Sequence, residues 1–138
     1  MSIKTFQGIE SNLPIENFAK IARIPILIKG DSDVQCQISG EIDFSREYSL
    51  LSVDWAKKLE LKIIDSIPYT NTKGEVKYLP ACKIRLSNES MDGKWVDFKV
   101  GITTIDHPNS NIILGQDFKK LFCLVDINSL TKEISLHY

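Results

Sequence analysis

Five stretches of this chain place apolar residues at every second position: Ile24, Ile26 and Ile28; Val34, Cys36 and Ile38; Cys82, Ile84 and Leu86; Val96, Phe98, Val100 and Ile102; and Ile134, Leu136 and Tyr138. A period of two is that of a β-strand, whose successive side chains point to opposite faces. Turn residues separate the stretches. Gly30-Asp31-Ser32-Asp33 reads as a turn, and Asp92-Gly93 as a hairpin signal within a somewhat longer loop. Pro25 lacks an N–H and so suggests an edge position in the first strand. Regularly spaced strands with turns between them predict a mostly β domain, a small barrel or sandwich.

Three segments carry a helical pattern instead. In Asn12-Leu13-Pro14-Ile15-Glu16, Asn12 is a capping residue and Pro14 suits a first turn, with Ile15, Phe18 and Ala22 on one face. The reading is an N-terminal arm over residues 1–22 whose short helix covers part of the sheet, followed by the main domain over 23–138. Ser52 to Leu59 begins with a capping Ser, has Asp54 in its first turn, and turns Trp55 and Leu59 to the core. Gln116 to Phe122 follows Gly115 and carries its acid early and its lysines late, as the helix dipole prefers.

With 138 residues, the chain is one domain of sufficient size to hold a core without covalent staples. Lys and Arg number 17 against 18 Asp and Glu, so the basic excess expected of a nucleic-acid binder is missing. The longest apolar run lies around Ile24 to Ile28, too short to span a membrane. No apolar block follows a basic start, so no secretory leader is expected and a cytoplasmic location is. Cys36, Cys82 and Cys123 are odd in number and far apart, and the histidines are His107 and His137. Neither a structural zinc site nor any other metal or cofactor is expected, and the thiols read as reduced and mostly buried. His107 reads as an exposed loop residue without a partner. Trp55 and Trp95 read as core or interface aromatics, and Lys57-Lys58 and Lys119-Lys120 as solvated helix faces.

The order of these segments, from about residue 22 to the end, resembles the retropepsin-like aspartic peptidases, single-lobe relatives of pepsin. Three stretches carry the resemblance. Ile42-Asp43-Phe44-Ser45-Arg46-Glu47 and the following Leu51-Ser52 and Ala56-Lys57-Lys58-Leu59 match the spacing of that family's Ile-Asp-Thr-Gly-Ala-Ser, Ile-Ser and Ala-Lys-Lys-Leu. Tyr69 to Val76, with Thr72, Lys73 and Gly74 at its tip, resembles the flap hairpin. Ile113-Leu114-Gly115-Gln116-Asp117-Phe118 resembles Ile-Leu-Gly-x-Asp-Phe.

The resemblance implies a small closed acid-protease β-barrel with two or three short helices. It also implies a homodimer, because each subunit supplies one catalytic Asp and the two carboxylates share a proton. Asp43 occupies the catalytic place. Phe44 stands where the family has a hydroxyl that ties the two active-site loops together. Ser45 stands where Gly permits close backbone approach. Arg46 stands where Ala is usual, and its cation favours ionised carboxylates over a shared proton. An ordinary loop acid, paired with Arg46 or capping a turn, is the competing reading of Asp43. Phe44, Ser45, Arg46, Thr72, Lys73 and Gly74 are the candidate substrate-binding residues, and Leu114, Gly115 and Asp117 are structural.

Three functions follow: a dimeric, peptide-binding domain with impaired catalysis; an active dimeric aspartic endopeptidase using Asp43 from each subunit; and a non-enzymatic β-barrel assembly module. The last arises because the alternation continues to Tyr138, which leaves open an unpaired edge at Glu133 to Tyr138.

Overall fold

The alternating stretches are strands, joined by turns at the expected places. A computed structural model describes residues 3–7, 22–107, 109–128 and 130–138. In chain order the elements are β1 (Ile3–Gln7), β2 (Ala22–Lys29), β3 (Cys36–Ile42), β4 (Leu50–Ser52), α1 (Val53–Lys58), β5 (Ile63–Thr70), β6 (Val76–Ser87), a 3-10 turn (Glu89–Met91), β7 (Val96–Thr103), β8 (Ile112–Leu114), α2 (Gln116–Lys119), β9 (Leu124–Asn128) and β10 (Glu133–His137). The fold is mostly β with short helices.

Seven strands form one sheet in the order β2-β3-β8-β4-β7-β6-β5, and a further pairing of β2 with β6 brings the row back onto its first strand, with β5 outside it. A second sheet has the order β1-β10-β9. The core lies between them. Ile24, Ile26, Ile28, Ile84, Leu86, Val100 and Ile112 from the large sheet meet Ile134 and Leu136 from the small one, with Phe118 of α2 among them. Burying each such side chain is worth about 2 kcal/mol, so the alternation that marks the strands also fixes their faces.

Pro25 pairs with Ser39 on one side, while β6 reaches β2 only at Leu27 to Lys29. The Pro25 carbonyl takes a hydrogen bond from Asn88 Nδ2 at 3.0 Å on its own account. The missing N–H therefore falls where no second strand requires it. Ser52 caps α1, accepting from the Trp55 N–H at 3.3 Å, and Trp55 and Leu59 are partly buried against the core. Asp92 and Gly93 both take positive φ at the turn into β7.

Several expectations change. Val34 lies outside β3 and is exposed; the strand runs instead from Cys36 to Ile42, and its last residues are buried on both faces, which erases the alternation there. Ala22 is not helical but opens β2, paired with Ile42 and buried. Asn12, Pro14, Ile15 and Phe18 lie outside the described residues. Cys123 is exposed, Cys36 half-buried and Cys82 buried. The unpaired edge expected at Glu133 to Tyr138 is absent, because β10 is the middle strand of its sheet and takes β1 on one side and β9 on the other.

Candidate active site

β3 and β8 run parallel, with Ile42 opposite Leu114. The two chains of backbone therefore leave the sheet side by side, and the residues that follow, Asp43 and Gly115, become neighbours. The Asp43 N–H donates to the Leu114 carbonyl at 3.0 Å, extending the ladder by one bond. Beyond it the loop of residues 43–49 folds across Gly115. A Cβ at Gly115 would stand 2.9 Å from the Arg46 carbonyl oxygen and 3.0 Å from the Tyr48 carbonyl group. Only glycine lets these two backbones approach so closely.

Asp117 then fastens the loop. Its carboxylate accepts from the Ser49 N–H at 2.9 Å, from Ser49 Oγ at 2.6 Å and from the Phe118 N–H at 2.8 Å. Ser49 Oγ in turn accepts from the Gly115 N–H at 2.9 Å. Backbone bonds from Gln116 N to Arg46 O and from Asp117 N to Glu47 O complete the clamp. Leu114, Gly115 and Asp117 thus hold the loop that presents Asp43.

The Asp43 carboxylate is half-buried and engaged at both oxygens. Oδ1 accepts from Ser45 Oγ at 2.5 Å and from the Ser45 N–H at 3.2 Å. Oδ2 lies 3.3 Å from Arg46 Nε. That Nε–H is buried and makes no directed hydrogen bond, so its attraction to Asp43 is Coulombic only. The guanidinium carbon sits 5.4 Å from the centre of the Tyr69 ring, on the flap side. Phe44 turns away, packing partly against the core with Lys119 Nζ 5.4 Å from its ring centre, and its carbonyl accepts from Gln116 Nε2 at 2.6 Å.

β5 and β6 form the hairpin that faces this loop. At its tip Asn71 Oδ1 accepts from the N–H groups of Lys73 and Glu75, and Gly74 supplies the positive φ of 80° that the turn needs. Between hairpin and loop lies a groove of about 470 Å³ lined by Ser45 to Tyr48, Leu50 and residues 68–72. Of the expected substrate-binding residues, Ser45, Arg46 and Thr72 line it, whereas Phe44, Lys73 and Gly74 do not. Tyr69, Glu47 and Tyr48 line it without having been singled out in the sequence. Their signal was position alone: Glu47 and Tyr69 belong to the stretches that carry the resemblance, and Tyr48 directly follows the first of them.

His107 has a partner after all. Its Nδ1 lies 2.6 Å from Glu41 Oε1, which also accepts from Ser110 Oγ at 2.8 Å. Arg23 Nε donates to Ser110 Oγ at 2.8 Å, and Arg23 Nη2 lies 3.9 Å from Glu41. Arg23 and Glu41 face each other across β2 and β3, and both are buried. Neither residue stood out in the sequence, because a charged residue within a strand carries no local sign of a partner on another strand.

Among the described residues, no three His, Cys, Asp or Glu side chains converge as metal ligands, and no helix is long and apolar enough to cross a membrane. Burial pushes the Cys82 thiol above its ordinary range, which lowers its thiolate fraction at neutral pH. Cys123 is expected to react first with iodoacetamide at pH 7.5, with Cys82 at least ~100-fold slower while the protein is folded. Site-resolved mass spectrometry over time checks this, and comparable rates at the two sites would contradict it.

No family model and no curated protein matches the chain. Among solved structures it is similar to a retropepsin-like aspartic protease from Rickettsia conorii, at 14% identity and a TM-score of 0.60, over 99% of this chain and 92% of that one. It is also similar to the EIAV protease in complex with the inhibitor HBY-793, at 16% identity and a TM-score of 0.47, over 75% of this chain and 89% of that one. The match to the Rickettsia structure covers nearly the whole length of both chains, and the fold of this chain is retropepsin-like.

Proposed function

We propose that this chain is a homodimeric, peptide-binding domain of retropepsin-like fold in which hydrolysis is impaired. The observation that carries this reading is the state of Asp43. Peptide hydrolysis by paired carboxylates needs one proton shared between them, so that one takes a proton from water while the other donates to the carbonyl. Here Arg46 lies 3.3 Å from one oxygen of Asp43 and Ser45 Oγ 2.5 Å from the other. Both oxygens are thus engaged by groups of Asp43's own loop, which compete with a partner carboxylate and an attacking water for the same positions. Phe44 presents no hydroxyl with which to tie a second loop across a dimer axis. A groove lies under the hairpin, and among the described residues β5 pairs with β6 alone, so an extended segment has a strand edge on which to add.

The test is digestion of a mixed peptide library from pH 3.5 to 7.5 by the wild type and Asp43→Asn, with oligomeric state followed by light scattering. The expected result is a dimer with no cleavage from either protein. Asp43→Asn should stay folded and lose no more than about 1 kcal/mol, since the ion pair it removes is partly solvated. Cleavage that disappears in Asp43→Asn would overturn the impaired reading.

A second reading, an active endopeptidase using Asp43 from each of two chains, has the loop scaffold in its favour. The backbone bond from Asp43 to Leu114 and the clamp by Ser49 and Asp117 are what a working loop requires. The same digestion decides between the two.

A further inference from the structure

We propose that the groove selects peptides by an acidic side chain, with Arg46 as its receptor. This rests on the peptide-binding reading above and adds to it the substrate class. Among the described residues that line the groove, Arg46 carries the one positive charge and Glu47 the one negative. The Arg46 backbone is fixed at both ends, its N–H on the Asp43 carbonyl at 3.2 Å and its carbonyl accepting from Gln116 at 2.9 Å. The side chain is therefore aimed into the groove from a rigid base. Its guanidinium is under-used there. Asp43 offers one Coulombic contact, Tyr69 offers a ring face, and Nε–H has no acceptor although it is buried.

A guanidinium is a planar fork that gains most from a carboxylate presenting both oxygens to it. Asp43 cannot do so, because Ser45 holds its other oxygen by Oγ and N–H. An Asp or Glu side chain from a peptide lying under the hairpin is free of that restraint. It would satisfy the fork, including the orphaned Nε–H, and draw the guanidinium off Asp43. Asp43 and Glu47 repel the incoming acid, and the site is partly solvated, so the net preference is modest. An acidic residue at one fixed position is expected to improve binding ~5–20-fold over its amide.

The experiment is selection of a random dodecapeptide library, displayed as N-terminal fusions so that no free C-terminus competes, on wild type, Arg46→Gln and Arg46→Lys. Each protein is first confirmed as folded by its thermal transition. Wild type should enrich Asp or Glu at one position. Arg46→Gln should lose that enrichment and keep the remaining consensus, and Arg46→Lys should retain it weakly. The consensus peptide and its Glu→Gln form, labelled with fluorescein, should then differ ~5–20-fold in Kd for wild type and less than 2-fold for Arg46→Gln. A wild-type consensus without an acid, or an acidic preference that survives in Arg46→Gln, overturns the proposal and leaves peptide binding standing. Failure of folded wild type to enrich any peptide overturns the peptide-binding reading and this proposal with it.

Discussion

Glu41→Ala is expected to lower stability by about 3–5 kcal/mol, the range for breaking a buried ion pair by removing one member. Glu41 is 3% exposed, and Arg23 opposite it on β2 is equally buried. Glu41 Oε1 collects His107 Nδ1, Ser110 Oγ and the charge of Arg23 in one place. Taking the carboxylate away removes the acid that faces the buried guanidinium across β2 and β3, and frees the loop that carries His107 and Ser110. The cost is not a measure of how much the pair stabilises the fold. Replacing both members together, Arg23→Met with Glu41→Leu, should recover most of the loss, because the desolvation cost of two charges goes with them. His107→Ala should cost less than about 1 kcal/mol, since the ring is half-exposed and water can take its place on Glu41. Urea denaturation of the four proteins measures all of this. A loss below ~1 kcal/mol for Glu41→Ala would mean that the cluster is hydrated and not a buried network.

The contrast between Glu41 and Ile26 explains what could be read from the chain before its structure. Ile26 alternates with its neighbours, and alternation is a local property that any window of sequence displays. The alternating strands, the cap at Ser52 and the turn at Asp92-Gly93 are local in the same sense and were legible, whereas β1 and β4 were not read as strands. Glu41 sits in the segment Ser39-Gly40-Glu41-Ile42, where β3 passes between β2 and β8 and is covered on both faces. Its partner lies on another strand, and nothing local distinguishes a buried acid from a solvated one. The same holds for Val34, whose apolar character suggested a strand that the chain begins only at Cys36.

The candidate site was legible to the extent that its parts lie in short motifs. Asp43 and Arg46 are three residues apart, and their pairing was foreseeable from that spacing. Of the expected binding residues, Ser45, Arg46 and Thr72 border the groove, whereas Phe44 packs toward the core and Lys73 and Gly74 occupy the turn beyond it. The reach of a hairpin over a loop depends on how β5 and β6 leave the sheet, which is a property of the whole fold.

Asp117→Ala carries the second large effect, an expected loss of about 3–4 kcal/mol. Bonds to a charged acceptor contribute ~1.5–3 kcal/mol each, and they do not add fully within one network. Asp117 accepts from Ser49 N–H, Ser49 Oγ and Phe118 N–H, and Ser49 has no exposed surface at all. Without the carboxylate, the Ser49 N–H is left in a dry place, and its hydroxyl loses the acceptor that orients it toward Gly115 N–H. Asp117→Asn keeps one acceptor oxygen and turns the other into a donor facing Ser49, so it should lose about half as much. Ser49→Ala removes the hydroxyl but not the backbone donor and should cost about 1–2 kcal/mol. If the three groups act as one clamp, the double variant Ser49→Ala with Asp117→Ala will be less destabilised than the sum of the singles by at least ~1 kcal/mol. The loop from Asp43 to Ser49 hangs on this clamp and on the close approach of Gly115, so peptide binding in the groove should fall with stability in Asp117→Ala. It should be unchanged in His107→Ala, whose partner Glu41 lies outside the groove. Purely additive losses in the cycle would show that Ser49 and Asp117 contribute independently, and that the loop is held by its backbone bonds to Gln116 and Asp117 alone.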